Sequence, residues 1–138
     1  MSRERPLRPP SGMPPPARAT LPDGLLLNLV ELAEEISDEH LRRHPDELAR
    51  YGETVRDWCR HDNQHLLNWA VLDVCGGLDF GGQVAWLAHV LGSRGYLLAN
   101  LADDLRVAAR VVRDRVNSEH ADNLADVLVD GVDFIDCT

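Results

Sequence analysis

The sequence predicts an all-α fold of five or six helices, globin-like or an antiparallel helical bundle. Apolar residues recur at steps of three and four through most of residues 23–136, and no stretch alternates cleanly with period two. Gly and Pro punctuate the periodic runs at intervals that suit short interhelical loops, and turn signals for hairpins are missing. A chain of 138 residues has room for one domain with an ordinary core.

Residues 1–20 hold six of the eight prolines, at Pro6, Pro9, Pro10 and Pro14 to Pro16, among Arg and small residues. That composition cannot pack a core and favours extended, solvated conformations, so a disordered Pro/Arg-rich leader is expected before a single helical domain over 21–138. The first helix is expected from Asp23, with Pro22-Asp23 as start signal and Leu25, Leu26, Leu29, Val30, Leu32, Ala33 and Ile36 at helical spacing, to about Arg43. Pro45 stops it and opens a short helix to Tyr51, ended by Gly52.

The next helix holds two of the three Trp and two of the three Cys. Val55, Trp58, Asp62, His65 or Leu66, Trp69 and Leu72 form one stripe, with Thr54 and Asp57 placed for a capping box and Gly76-Gly77 as the stop. Asp79 is the expected cap of a helix carrying Val84, Leu87, Ala88 and Leu91, with Trp86 and Val90 at its margins and Gly81-Gly82 read as punctuation. Leu97, Leu98, Leu101, Leu105, Ala108, Val112 and Val116 define a long helix. Ser118 is the expected cap of the last one, where Leu124, Val127, Leu128, Val132 and Ile135 face inward.

Charge narrows the partners. All 14 basic side chains are Arg, and the net charge is −9. Residues 1–20 carry four Arg against one Glu, or +3, which leaves −12 on residues 21–138. A body so acidic repels phosphate backbones, so no nucleic-acid partner is expected. Cys59 and Cys75 lie sixteen residues apart on one helix, roughly 24 Å, and cannot bridge each other; Cys137 is the thiol placed to react with another chain. With no secretory h-region and no apolar run near 18 residues, a soluble, cytoplasmic protein with reduced thiols and no membrane partner is expected.

Polar residues interrupting the Trp-bearing stripe mark the candidate site. Asp62 and His65 between Trp58 and Trp69 can form a buried hydrogen-bonded pair, which would line a ligand groove or fix helix register, and Trp86 on the following helix completes the groove. A metal set of His61, Asp62, His65 and His89 is the alternative, since His61 and His65 project from adjacent turns. His89 also suits an axial haem ligand. The acidic stripe Asp122, Asp126, Asp130, Asp133 and Asp136 reads as a solvated face or a surface for a basic partner, and lacks the spacing of a calcium loop. No G-x-S-x-G, HExxH or phosphate-binding glycine loop is present, so the reading leans away from an enzyme.

The run Tyr51-Gly52-Glu53, Arg56, His61-Asp62-Asn63, His65-Leu66-Leu67, then Val84, Trp86-Leu87, Val90-Leu91 and Arg94-Gly95 resembles a bacterial helical family whose members occur beside sensory and regulatory domains. The resemblance covers about residues 21–136, implies a regulatory helical module and carries over no catalytic residue. Two functions are therefore expected as alternatives. One is a non-enzymatic sensory or regulatory module in signal transduction that binds a small ligand or a partner protein, without cofactor and with a homodimer compatible. The other is a metal- or haem-binding protein built on the His/Asp cluster.

Overall fold

The computed structural model describes residues 14–135 and is all-helical apart from one small hairpin. Strands β1 (Arg18–Thr20) and β2 (Leu26–Asn28) precede α1 (Leu29–Arg43), α2 (Pro45–Tyr51), α3 (Thr54–Val74), α4 (Phe80–Ser93), α5 (Leu98–Arg115), α6 (Ala121–Asp130) and the single turn α7 (Val132–Ile135). The first thirteen residues of the expected leader, together with Asp136 and Cys137, lie outside the described residues.

The hairpin corrects two expectations: that residues 14–20 stand apart from the fold, and that α1 begins at Asp23. Pro22-Asp23-Gly24 is a turn, with Gly24 at φ +90°, a conformation that costs an L side chain steric energy and Gly none. Asp23 Oδ1 accepts from Leu25 N at 3.1 Å, and Thr20 pairs with Leu26, Ala19 with Leu27 and Arg18 with Asn28. Alternation then places Leu27 in the core and leaves Leu26 exposed. Asn28 ends the strand and caps α1, accepting from Glu31 N at 3.1 Å.

Other termini use different caps from those expected. Thr54 donates its hydroxyl to Tyr51 O at 3.4 Å, so the capping box does not form at α3. Asp79 holds the N-cap position of α4, yet the carboxylate that accepts from Phe80 N, at 2.8 Å, is Asp73, reaching across the Gly76-Gly77 turn. Ser118 Oγ donates to Asp23 Oδ2 at 2.7 Å and accepts from His120 N, which ties the α5–α6 loop to the hairpin turn. Gly81 lies inside the first turn of α4, where a Cβ would fall 2.5 Å from the Phe134 ring of α7. It is a close-packing glycine between two helices.

α1 packs along α3 and α5, and α5 packs along α6. The large core holds Leu29, Ile36, Leu66, Leu67, Phe80, Val84, Leu87, Leu105, Val112, Leu124 and Leu128. A second, small cluster of Leu41, Val55 and Trp58, flanked by Leu48, Tyr51 and Cys59, closes the end where α1, α2 and α3 meet. Leu72, expected on the buried stripe of α3, is 40 % exposed, whereas Val71 is buried and Val74 packs on the large core, so the inward face there passes through those two residues. No helix among the described residues is long and apolar enough to cross a membrane.

Candidate functional site

Between the two apolar clusters lies a pocket whose walls mix polar and apolar side chains, assembled from five helices and one loop. α1 contributes His40, α2 Glu47, and α3 Val55, Trp58, Cys59, Asp62, Asn63 and Leu66 at steps of three and four. Leu87 and Leu91 of α4, Tyr96 of the following loop, and Leu101 and Asp104 of α5 complete it. The cavity volume is ≈ 30 Å³, enough for an ion or a water or two.

Glu47 is the hub. Its Oε2 accepts from Asn100 Nδ2 at 2.7 Å and from the Tyr96 hydroxyl at 2.8 Å, and lies 2.9 Å from His40 Nε2. Burial opposes its charge, but the hydrogen bonds with His40, Tyr96 and Asn100 and the imidazole's charge win, holding the carboxyl below its usual range. Burial likewise penalises the His40 imidazolium. The bond to Glu47 and the charges of Asp104, Glu47 and Asp103 outweigh it, and the imidazole pKa is raised.

On the other side of the imidazole, Asp104 Oδ1 stands 3.6 Å from His40 Nδ1 and accepts from Asn63 Nδ2 at 3.2 Å; the same amide also donates to Ser37 Oγ. Burial, reinforced by the Glu47 and Asp103 charges and only partly offset by His40 and Asn63, pushes the Asp104 carboxyl up to about 6. Asp62 is raised well above the carboxylate range by burial and by the Asp104 charge. Burial and the charges of Asp104, Glu47 and Asp62 push the Cys59 thiol up, and burial with the Glu47 charge does the same to Tyr96, which keeps its proton and donates it.

Four shielded polar atoms here have no hydrogen-bond partner among the described residues: Glu47 Oε1, His40 Nδ1, Asp62 Oδ1 and Asn63 Oδ1. All four belong to residues lining this one pocket. Leaving such a group unmatched costs about 1–3 kcal/mol.

The expected groove is divided by the structure. Trp58 and Asp62 line the pocket, whereas His65 and Trp69, their rings 5.8 Å apart, pack farther along α3, and Trp69 belongs to the large core. Trp86 is 42 % exposed on α4. The five residues therefore do not line one groove. Nor do the four residues of the expected metal set converge. His61 and His65 are in edge contact at 5.3 Å and His61 Nδ1 is 4.0 Å from Asp62 Oδ1, but His89 is exposed on α4.

Among the described residues, the groups whose ligand atoms lie within 4.8 Å of one another are His40, Glu47 and Cys59; His40, His44 and Asp103; and Asp23, Glu119 and His120. On the acidic stripe, Asp126 and Asp122 face Arg113 at 2.8 and 3.7 Å, so the chain supplies its own basic partner there.

Sequence reasoning missed His40, Glu47, Tyr96, Asn100 and Asp104. One signal could have found two of them: His40 continues the line Leu29, Ala33, Ile36 on α1, and Asp104 lies one turn from Asn100 on the inner side of α5. Both are polar residues on faces that are otherwise buried and apolar. Fold and site together define an all-helical domain with a buried polar pocket. In comparisons with family models, curated proteins and solved structures, nothing matches the chain, so the site's own chemistry carries the functional argument.

Proposed function

We propose that the chain is a non-enzymatic regulatory or sensory helical module that binds a small ligand in the pocket between α1, α2, α3, α4 and α5. The observation that carries this reading is the set of four shielded polar atoms without a hydrogen-bond partner among the described residues, all on side chains that line one cavity. Together they would cost the fold several kcal/mol, at about 1–3 kcal/mol each, unless something in the cavity matches them. The walls suit a ligand that is polar on one side and enclosed on the other. Glu47, Asp62 and Asp104 give the pocket its acidic side, and Leu66, Leu87 and Leu91 exclude bulk water.

Ligand occupancy would join α2 to α1, α3 and α5 through Glu47, and α2 is a short helix with Glu47 as its only buried residue. A segment so thinly anchored responds to what fills the pocket beside it. That is the physical content of the regulatory reading.

Native mass spectrometry tests it, on the full chain as purified and after incubation with the low-molecular-weight fraction of its host cells. The expected result is a stoichiometric non-covalent adduct that folded Glu47→Gln and Trp58→Ala variants lose. Bare polypeptide under both conditions, or an adduct kept equally by both variants, would discard the pocket as the binding site.

A further inference from the structure

Three of the pocket's side chains form a donor set of a particular kind. An imidazole, a carboxylate and a thiol from three different helices, His40 of α1, Glu47 of α2 and Cys59 of α3, bring ligand atoms within 4.8 Å of one another. In a tetrahedral site with bonds of about 2.0–2.3 Å, ligand atoms are roughly 3.3–3.8 Å apart. Side-chain rotation of about an ångström closes the set around an ion. The ≈ 30 Å³ of space beside it has room for an ion and one water.

The outer partners are arranged as metal ligands require. A ligating His holds its second ring nitrogen against a carboxylate, and ligating carboxylates are themselves hydrogen-bonded. Here Asp104 Oδ1 stands 3.6 Å from His40 Nδ1 and is fixed by Asn63, so Nε2, now 2.9 Å from Glu47 Oε2, is the nitrogen that turns to the ion in exchange for that contact. Tyr96 and Asn100 both donate to Glu47 Oε2, which leaves Oε1 as the partnerless oxygen. Side chains of His40 and Glu47 are 1 % and 3 % exposed, so water reaches neither freely.

The two other clusters lack this arrangement. Asp103 is already engaged by Arg43 at 2.9 Å and His44 at 2.8 Å, and the group of Asp23, Glu119 and His120 is largely exposed with Asp23 bonded to Ser118.

We propose that the pocket is a site for one divalent transition-metal ion, held by His40 Nε2, Glu47 Oε1 and Cys59 Sγ. A mixed nitrogen, oxygen and sulfur set selects a borderline-soft ion of the zinc or cobalt type over magnesium or calcium. The fourth position is left to the cavity that Asp62 also lines. On binding, the Cys59 thiol and the His40 Nε2–H that now faces Glu47 Oε2 each release a proton to solvent, and the thiolate and the bare ring nitrogen bond the ion, which is then the largest local charge. The inference rests on the pocket reading above and names its ligand.

The test is titration of the untagged, chelator-treated full chain with Co²⁺, in a Cys75→Ser, Cys137→Ser background so that Cys59 is the only thiol. The expected result is uptake of one equivalent with a thiolate-to-cobalt charge-transfer band in the near ultraviolet and visible d–d bands, both reversed by Zn²⁺. Cys59→Ser removes the charge-transfer band, Glu47→Gln lowers affinity at least tenfold, and Asp104→Asn, which acts through His40, lowers it about 10–100-fold. No uptake by folded protein, or a spectrum without the charge-transfer band, overturns the metal. If an organic adduct sensitive to Glu47→Gln is still seen by native mass spectrometry, the metal inference alone falls; if neither is seen, both do.

Discussion

The two halves of α3 sit in opposite chemistries. Its C-terminal half buries Leu66, Leu67, Ala70 and Val71 in the large core with Phe80, Leu105 and Leu124, where the side chains are apolar and fully shielded. Its N-terminal half turns Cys59, Asp62 and Asn63 toward Glu47, His40 and Asp104, where polar atoms are shielded without being matched. Burial of apolar area stabilises the first region by about 25 cal/mol per Å². In the second, each unmatched atom costs about 1–3 kcal/mol. The difference teaches where each property resides: the large core supplies stability, and that surplus allows the pocket end to keep groups whose arrangement suits binding better than folding.

Removing the Phe80 ring should produce the largest effect. Phe80 is 1 % exposed and packs in the large core near α7, away from the pocket. Phe80→Ala is expected to cost about 3–5 kcal/mol, through lost transfer energy and the cavity left behind. Urea denaturation reads the cost as a lower midpoint at unchanged slope. Co²⁺ affinity measured on the folded fraction should stay at the wild-type value. A variant that keeps its stability but loses the metal would break the division between the two regions.

The same division explains what could be read from the sequence. Periodicity is a property of apolar faces, so the core half was legible: α2 runs from Pro45 to Tyr51 as its Pro and Gly signals predicted, and α3 stops before Gly76. Pro22-Asp23 was ambiguous, because Pro followed by Asp opens both turns and helices. The deciding facts, the positive φ of Gly24 and the pairing of Thr20 with Leu26, exist only once the chain folds back. The pocket was half legible. Trp58 and Asp62 are visible on the stripe of α3, but spacing along one chain points to His61, His65 and His89, whereas the polar residues that share the pocket with Asp62 are His40, Glu47, Tyr96 and Asp104 on other elements. Polar contacts between helices carry no local spacing rule, and the exposure of Trp86 depends on how α4 is seated.

Titration sharpens the comparison at the pocket end. Asp104 has its carboxyl raised from 3.8 to about 6, so between those pH values the folded state holds a proton that the unfolded state has lost. Stability of metal-free protein must therefore fall as pH rises through that window, by up to about 3 kcal/mol at 1.36 kcal/mol per pH unit. His40, with its pKa raised, adds a contribution that is complete below the unfolded value of 6.5 and is lost as pH rises through the folded one. Glu47, lowered, loses its contribution only as pH falls below 4.5. Asp104→Asn should reduce the fall between about pH 4 and 6, where Asp62, also raised, supplies the rest, and should leave a smaller one above 6.5, because the Asp104 charge is part of what raises His40. Chemical denaturation at half-unit pH steps checks this, and an unchanged profile in the variant would remove Asp104 as the source.

The smallest effect is expected at the start of α1, the helix that passes through both regions. Leu29, Leu32, Ala33 and Ile36 lie in the large core, whereas Leu41 belongs to the small cluster and His40 lines the pocket. Asn28 caps the core end, twelve residues before His40 and so about 18 Å away along the axis. Asn28→Ala frees the Glu31 amide and should cost about 1 kcal/mol, read as a small drop in the urea midpoint. A cap acts on the first turn, and Leu29 and Ile36, both fully buried, hold the rest of α1 in place. The Co²⁺ spectrum and affinity should therefore not move. A shift in either would mean that α1 transmits a disturbance from hairpin to pocket, and the hairpin turn, tied through Asp23 to Ser118, would then be part of the device that the pocket controls.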